Sequence, residues 1–145
     1  MKHIVATLFG ILFATAANAA GDSHVLASFP ELERALTTGK PVTVTVDLGM
    51  CTPATSDTPS TKTRGGVSID GYRITSDGTL AFADQHFTID RDGKPVVQFL
   101  RYRIRPDGGA EFTMVVFNVP SYERKGTSRV YKCSIGHGVS FFSSQ

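Results

Sequence analysis

Three groups of residues in this chain have the types and spacing that chemistry would need. The first is the run FLRYRIR at residues 99–105. In a strand, Leu100, Tyr102 and Ile104 share one face, and Arg101, Arg103 and Arg105 line up on the other at steps of about 7 Å. Three guanidiniums in a row suit phosphate, sulfate or carboxylate, because each offers a planar fork of donors. The plainer alternative is a solvated strand face paired to Glu111, Asp107 or Asp92 on neighbouring strands.

The second group is His86 with Asp84 in FADQHFT, together with His137 in CSIGH. It forms a secondary polar site in which Asp84 could orient an imidazole. The third group is the pair of cysteines, Cys51 and Cys133. Cys51, Cys133, His86 and His137 are ligand types that suit zinc, but their spacing matches no finger or ribbon. No metal and no cofactor is expected. The chain also lacks a Gly-x-Ser-x-Gly elbow, a phosphate-binding glycine loop and a His-Glu-x-x-His pair. No catalytic residue is assigned. The enzymatic alternative is a small hydrolase or lyase acting on glycan through His86 and neighbouring carboxylates.

The amino end bears on the compartment. Met1-Lys2-His3 is followed by an apolar run from Ile4 to Ala16 and by Ala17-Asn18-Ala19. These are the parts of a signal peptide spanning residues 1–19, with cleavage after Ala19. The run is too short to cross a bilayer as an ordinary helix. The remainder, residues 20–145, is read as a single domain in the periplasm or outside the cell. Without Lys2 the balance is 14 basic against 13 acidic residues. That profile argues against general nucleic-acid binding. An even count of two cysteines in an oxidising compartment predicts one disulfide, Cys51 to Cys133.

The elements that position these residues follow from periodicity. Ser28-Phe29-Pro30-Glu31 has the form of a capping box. Phe29, Leu32, Ala35 and Leu36 then recur at helical spacing, and Gly39 with Pro41 stops the helix, predicting residues 29–38. Val42, Val44, Val46 and Leu48 alternate with polar residues, as in a half-buried strand. The segment from Gly49 to Gly66, rich in Ser, Thr and Pro, reads as a flexible loop too polar and broken to pack. Asp-Gly pairs at 77–78, 92–93 and 107–108 mark hairpin turns. At Asp70-Gly71 a bulge would bring Val67, Ile69, Tyr72 and Ile74 onto one face. The last strands are 129–135 and 139–143.

The expected fold is α+β and mostly antiparallel β, with one N-terminal amphipathic helix packed on a curled meander sheet or small barrel. A two-sheet sandwich is the alternative. The aromatic residues are mainly core, and Tyr72, Tyr102, Tyr122 and Tyr131 suit a rim or pocket mouth, where each hydroxyl finds a polar neighbour.

The order of FPELERALTTGKPVTVTVDLGMC, TRGG, FADQHFTID, QFLRYRIRPDGG and YKCSIGHGVSFF resembles the VirK family of small exported bacterial proteins from virulence regions of host-associated bacteria. The resemblance covers nearly all of the chain after residue 19. It implies export and a role in host interaction, and it brings no established activity or catalytic residue. The reading is therefore of a non-enzymatic exported protein that binds a partner protein or small ligand. Arg101, Arg103 and Arg105 would form an anion-binding stripe, with Tyr102 reaching a pocket. A further alternative is a periplasmic accessory protein of a secretion apparatus.

Overall fold

The computed structural model describes residues 23–144, so the predicted signal segment lies outside the described residues. The first described element is a strand, β1 (Ser23–Leu26), and the helix α1 (Phe29–Thr37) comes after it. The helix is therefore not the leading element, although its bounds and its buried face, Phe29, Leu32, Ala35 and Leu36, follow the predicted spacing. Its start departs from a capping box. Ser28 is the N-cap but makes no side-chain cap bond, and Glu31 Oε2 accepts instead from the Ala27 N–H at 2.8 Å. Its end is a full Schellman motif. Gly39 has φ 77°, its N–H reaches Leu36 O, and the Lys40 N–H reaches Ala35 O.

The strands that follow are β2 (Val42–Asp47), β3 (Thr52–Pro53), β4 (Arg64–Ser68), β5 (Tyr72–Ile74), β6 (Leu80–Ile89), β7 (Pro95–Ile104), β8 (Gly109–Asn118), β9 (Arg129–Ile135) and β10 (Gly138–Ser144). They form one ten-stranded sheet in the order β4-β2-β10-β9-β8-β7-β6-β5, with β1 on β10 and β3 on β9. The continuous path makes a curled half-barrel rather than two separate sheets. The meander β5 to β9 is antiparallel throughout, with turns at Gly78, Gly93 and Gly108, each at positive φ. Asp-Gly supplies that conformation because glycine has no Cβ to clash.

Two predicted features are corrected. The chain makes no bulge at Asp70-Gly71: β4 pairs with β2, whereas β5 pairs with β6 at the opposite end of the sheet. Ile69 is buried before the crossing, and Tyr72 and Ile74 are exposed after it. One face for all four residues required a single strand, and the chain uses two. Second, the segment after Cys51 does pack. Thr52 and Pro53 register with Lys132 and Tyr131, Ala54 N–H donates to Val130 O, and Thr58 is buried. Backbone pairing to the edge of β9 satisfies a polar segment that has no apolar face to offer.

The curl turns at the β9–β10 corner. Gly138 and Val139 run parallel to Ser134 and Ile135 for two residue pairs, before β10 continues alongside β2 and β1. Cys51, just past β2, is bonded to Cys133 of β9, fastening the two halves of the sheet beside this corner. The bond removes Cys51 and Cys133 from any metal set with His86 and His137. Closing a loop with sequence separation 82 stabilises by about 4–5 kcal/mol in the chain-entropy model. Inside the curl, α1 shares a single core with Val44, Leu80, Ile104, Ala110, Val139 and Phe141. An aromatic row crosses it: Phe82 stacks on Tyr102 at 4.6 Å, Tyr102 meets Phe112 at 5.1 Å, and Phe112 meets Tyr131 at 6.3 Å.

Gly138 is the tightest point of the corner. It has φ 81°, and a Cβ there would lie 2.5 Å from Cys51 Sγ. Gly136, at φ 79°, has nothing within 4 Å of a Cβ. Gly136→Ala should therefore cost about 1–2 kcal/mol, the left-handed backbone penalty alone. Gly138→Ala should cost clearly more in urea unfolding with the disulfide intact. Equal losses for the two variants would contradict this account of the corner.

Candidate functional site

Register places inward-facing side chains in rows across the meander. The pairs Phe82↔Tyr102, Tyr102↔Phe112 and Phe112↔Tyr131 make the aromatic row. Two residues further along, Asp84↔Leu100, Leu100↔Met114 and Met114↔Arg129 make the next. His86↔Gln98 and Gln98↔Val116 make the third. Packing changes along this series. The aromatic row lies in the core, while beyond it the inward face opens into a cleft of about 400 Å³. No residue of α1 lines the cleft.

The floor of the cleft is apolar: Leu100, Tyr102, Phe112, Met114 and Tyr131, with Val46 and Leu48 from the other half of the sheet. Its rim is polar, with Asp84, His86, Gln98 and Arg129 on the meander side and Thr61, Thr63 and Arg64 across the gap. Gly65 and Gly66 of β4 form part of that opposite wall. Gly65 registers with the inward-facing Val46, and nothing lies within 4 Å of a Cβ built on it. The absence of a side chain at residue 65 helps to keep the cleft open.

Charge is separated along the Asp84–Arg129 row. The two residues are three strand spacings apart, about 14 Å along the sheet, with Leu100 and Met114 between them. Among the described residues neither forms an ion pair, whereas Arg64 is paired to Asp47 at 2.7 Å. Asp84 and His86 line the same cleft, but no hydrogen bond joins them, so Asp84 does not orient the imidazole in this geometry. Tyr131 donates its hydroxyl proton to Pro59 O at 2.8 Å, which ties the packed segment over β9 to the cleft wall. Burial pushes the Tyr102 hydroxyl up to about 12, with the negative charge of Asp84 adding to the shift.

The predicted groups thus separate in space. Tyr102, Asp84 and His86 come together in the cleft. Arg101, Arg103 and Arg105 project from the opposite, convex face and are exposed. There Arg101 lies 3.9 Å from Glu111 and Arg105 lies 3.4 Å from Asp107, while Asp92 takes no part. His137 sits at the β9–β10 corner and does not line the cleft. Sequence reading missed Gln98, Met114, Arg129 and Gly65. Gln98 and Met114 were within reach, because the Asp-Gly hairpin turns fix the register of β6, β7 and β8; Arg129 was not, since the connection from β8 to β9, residues 119–128, is no tight turn. Nor was Gly65, since its role depends on β4 facing the meander across the gap.

Comparison with known proteins adds one decisive finding. A family model described as VirK protein matches residues 25–122. The chain belongs to the VirK family. It is 99% identical, over the full length of both chains, to "Uncharacterized protein y4wH" of Sinorhizobium fredii. It is 63% identical, again over both full lengths, to "Uncharacterized protein in pinF2 3'region" of Rhizobium radiobacter. The crystal structure of lpg1832, a VirK family protein from Legionella pneumophila, superposes with a TM-score of 0.73 at 27% identity. That match covers 81% of this chain and 98% of the Legionella chain.

The Tyr102 shift predicts a pH effect with a definite sign. The hydroxyl titrates near 10 in an unfolded chain and at about 12 in the fold. Its contribution to stability is fully present below pH 10 and is lost as pH rises through 12. Ultraviolet titration should show a late tyrosinate step that Tyr102→Phe removes, and Asp84→Asn should move that step to lower pH. A late step that persists in Tyr102→Phe would refute the assignment.

Proposed function

We propose that this VirK protein is a non-enzymatic binding protein that receives its ligand in the cleft of the half-barrel. One observation carries the reading: the inward face changes from packed core to an open cleft of about 400 Å³ with an apolar floor and a polar rim. A volume of this order with a few convergent polar groups is the usual form of a ligand site. Burying an apolar group against Leu100 and Met114 would be favourable at about 25 cal/mol per Å², while Asp84 and Arg129 select polar ends. Export to an oxidising compartment belongs to the same reading. It is supported by the Cys51–Cys133 disulfide, since such bonds persist where thiols are not kept reduced. A role in host association belongs to it too, on the strength of VirK membership.

The test uses anilinonaphthalene sulfonate, whose fluorescence rises in apolar surroundings. Wild-type protein should bind it saturably. Gly65→Leu should weaken binding at least tenfold by filling the cleft, with little effect on folding because the site is open. The triple variant Arg101→Ala/Arg103→Ala/Arg105→Ala, on the convex face, should bind as wild type does and lose less than about 1 kcal/mol of stability. Undiminished binding by Gly65→Leu, or loss of binding in the triple variant, would sink the cleft as the site.

A further inference from the structure

The half-barrel is not closed, and its seam has a chemistry of its own. β5 pairs only with Leu80 to Phe82 of β6. Beyond it, from Ala83 to Ile89, β6 pairs with β7 on one side alone. The turns fix which backbone groups are left over. Thr75 N–H donates to Thr79 O, and Asp90 N–H donates to Lys94 O. In an antiparallel ladder hydrogen-bonded pairs recur at every second residue. The even-numbered residues of β6 therefore bond to β7, and Ala83, Gln85, Phe87 and Ile89 direct their N–H and C=O away from it. All four are exposed, and none of these groups appears in another backbone bond among the described residues.

Edge strands are normally guarded by lysine, proline, a bulge or shortness. The run ADQHFTI from 83 to 89 has none of these guards; its one protecting device is the inward-pointing charge of Asp84, which a cation on an incoming strand would neutralise. On its outer side Phe87 and Ile89 are 55% and 68% exposed. On its inner side it carries Asp84 and His86 at the cleft rim, and Asp84 has no ion-pair partner among the described residues. We infer that this edge takes an extended peptide segment of a partner protein by strand addition, with a lysine or arginine beside Asp84 and apolar side chains beside Phe87 and Ile89. This deepens the cleft reading and rests on it, because inward side chains of the added strand enter the cleft. A single extended segment suits the seam better than the edge of a second folded copy. The opposite wall, with Thr61, Thr63 and Arg64 to Gly66, lines the same cleft, so a strand with a further sheet behind it would have to share the seam with that wall. Main-chain bonds supply affinity in this mode, and the alternating pockets supply selectivity.

The probe is a capped peptide of about ten residues, with valine at outward positions and one lysine and one leucine facing inward. Amide hydrogen exchange is followed residue by residue on the full chain. Binding should slow exchange at least tenfold at Ala83, Gln85, Phe87 and Ile89, and leave Asp84, His86 and Thr88, already bonded to β7, nearly unchanged. Methylating the peptide nitrogens that face β6 should abolish binding. Asp84→Asn should weaken the lysine peptide several-fold but not its norleucine analogue. Binding without the alternating protection, equal binding of the methylated peptide, or no binding would overturn strand addition. Protection that grows with protein concentration in the absence of peptide would overturn it in favour of a second copy. Failure of the peptide with retention of cleft-bound anilinonaphthalene sulfonate leaves the cleft reading standing. Loss of dye binding strikes the cleft itself.

Discussion

The corner between β9 and β10 is the constraint on which the molecule turns. A sheet of this length must bury one face, and without an abrupt change of direction that face would lie open to water. The corner supplies the change within a few residues. Gly136 and Gly138 take backbone angles that other residues adopt only at a cost, and the disulfide fixes the end of β2 against β9. Bond and corner are matched in space, because the room that Gly138 leaves is filled by the Cys51 sulfur.

What the corner folds over decides where the site lies. One part of the enclosed space is filled by α1 and the apolar residues of both sheet halves. The other part receives no helix, and its wall at β4 is built from glycine. The cleft is thus left over from unequal covering of one continuous face. β6 is also longer than β5 beside it, so an apolar floor and a free strand edge occur together. The convex face carries its own aromatic contact, Phe99 against Phe117 at 5.6 Å, and the arginines lie on that face.

The sequence exposed those parts of this design that depend on local period. The 3.6-residue spacing from Phe29 to Leu36, the alternation from Val42 to Val46, and the Asp-Gly turns led to the helix and the hairpins. The even cysteine count led to the bond between residues 51 and 133. Pairings between distant segments were not visible. Val67-Ser-Ile69 and Tyr72-Arg-Ile74 look like one strand with a fault, and only the tertiary fold sends them to opposite ends of the sheet. The packing of Thr58 and Pro59 over β9 was hidden likewise, because it is made by backbone and hydroxyl groups and leaves no apolar pattern. The lining of the cleft was half legible. Asp84 and His86 stand in one short run, but Arg129 joins their cleft only through three successive registers.

The methionines offer a direct measurement of the central claim that the cleft is the binding surface. Met114 lies on the cleft floor, and Met50 lies outside it at 47% exposure. With isotope-labelled methionine methyls, nuclear magnetic resonance can follow both while anilinonaphthalene sulfonate is added. The account predicts that the Met114 methyl shifts in step with the fluorescence change while the Met50 methyl stays in place. Dye binding that leaves Met114 unmoved would put the ligand elsewhere, with the exposed aromatics of the convex face the first alternative, and would contradict the account.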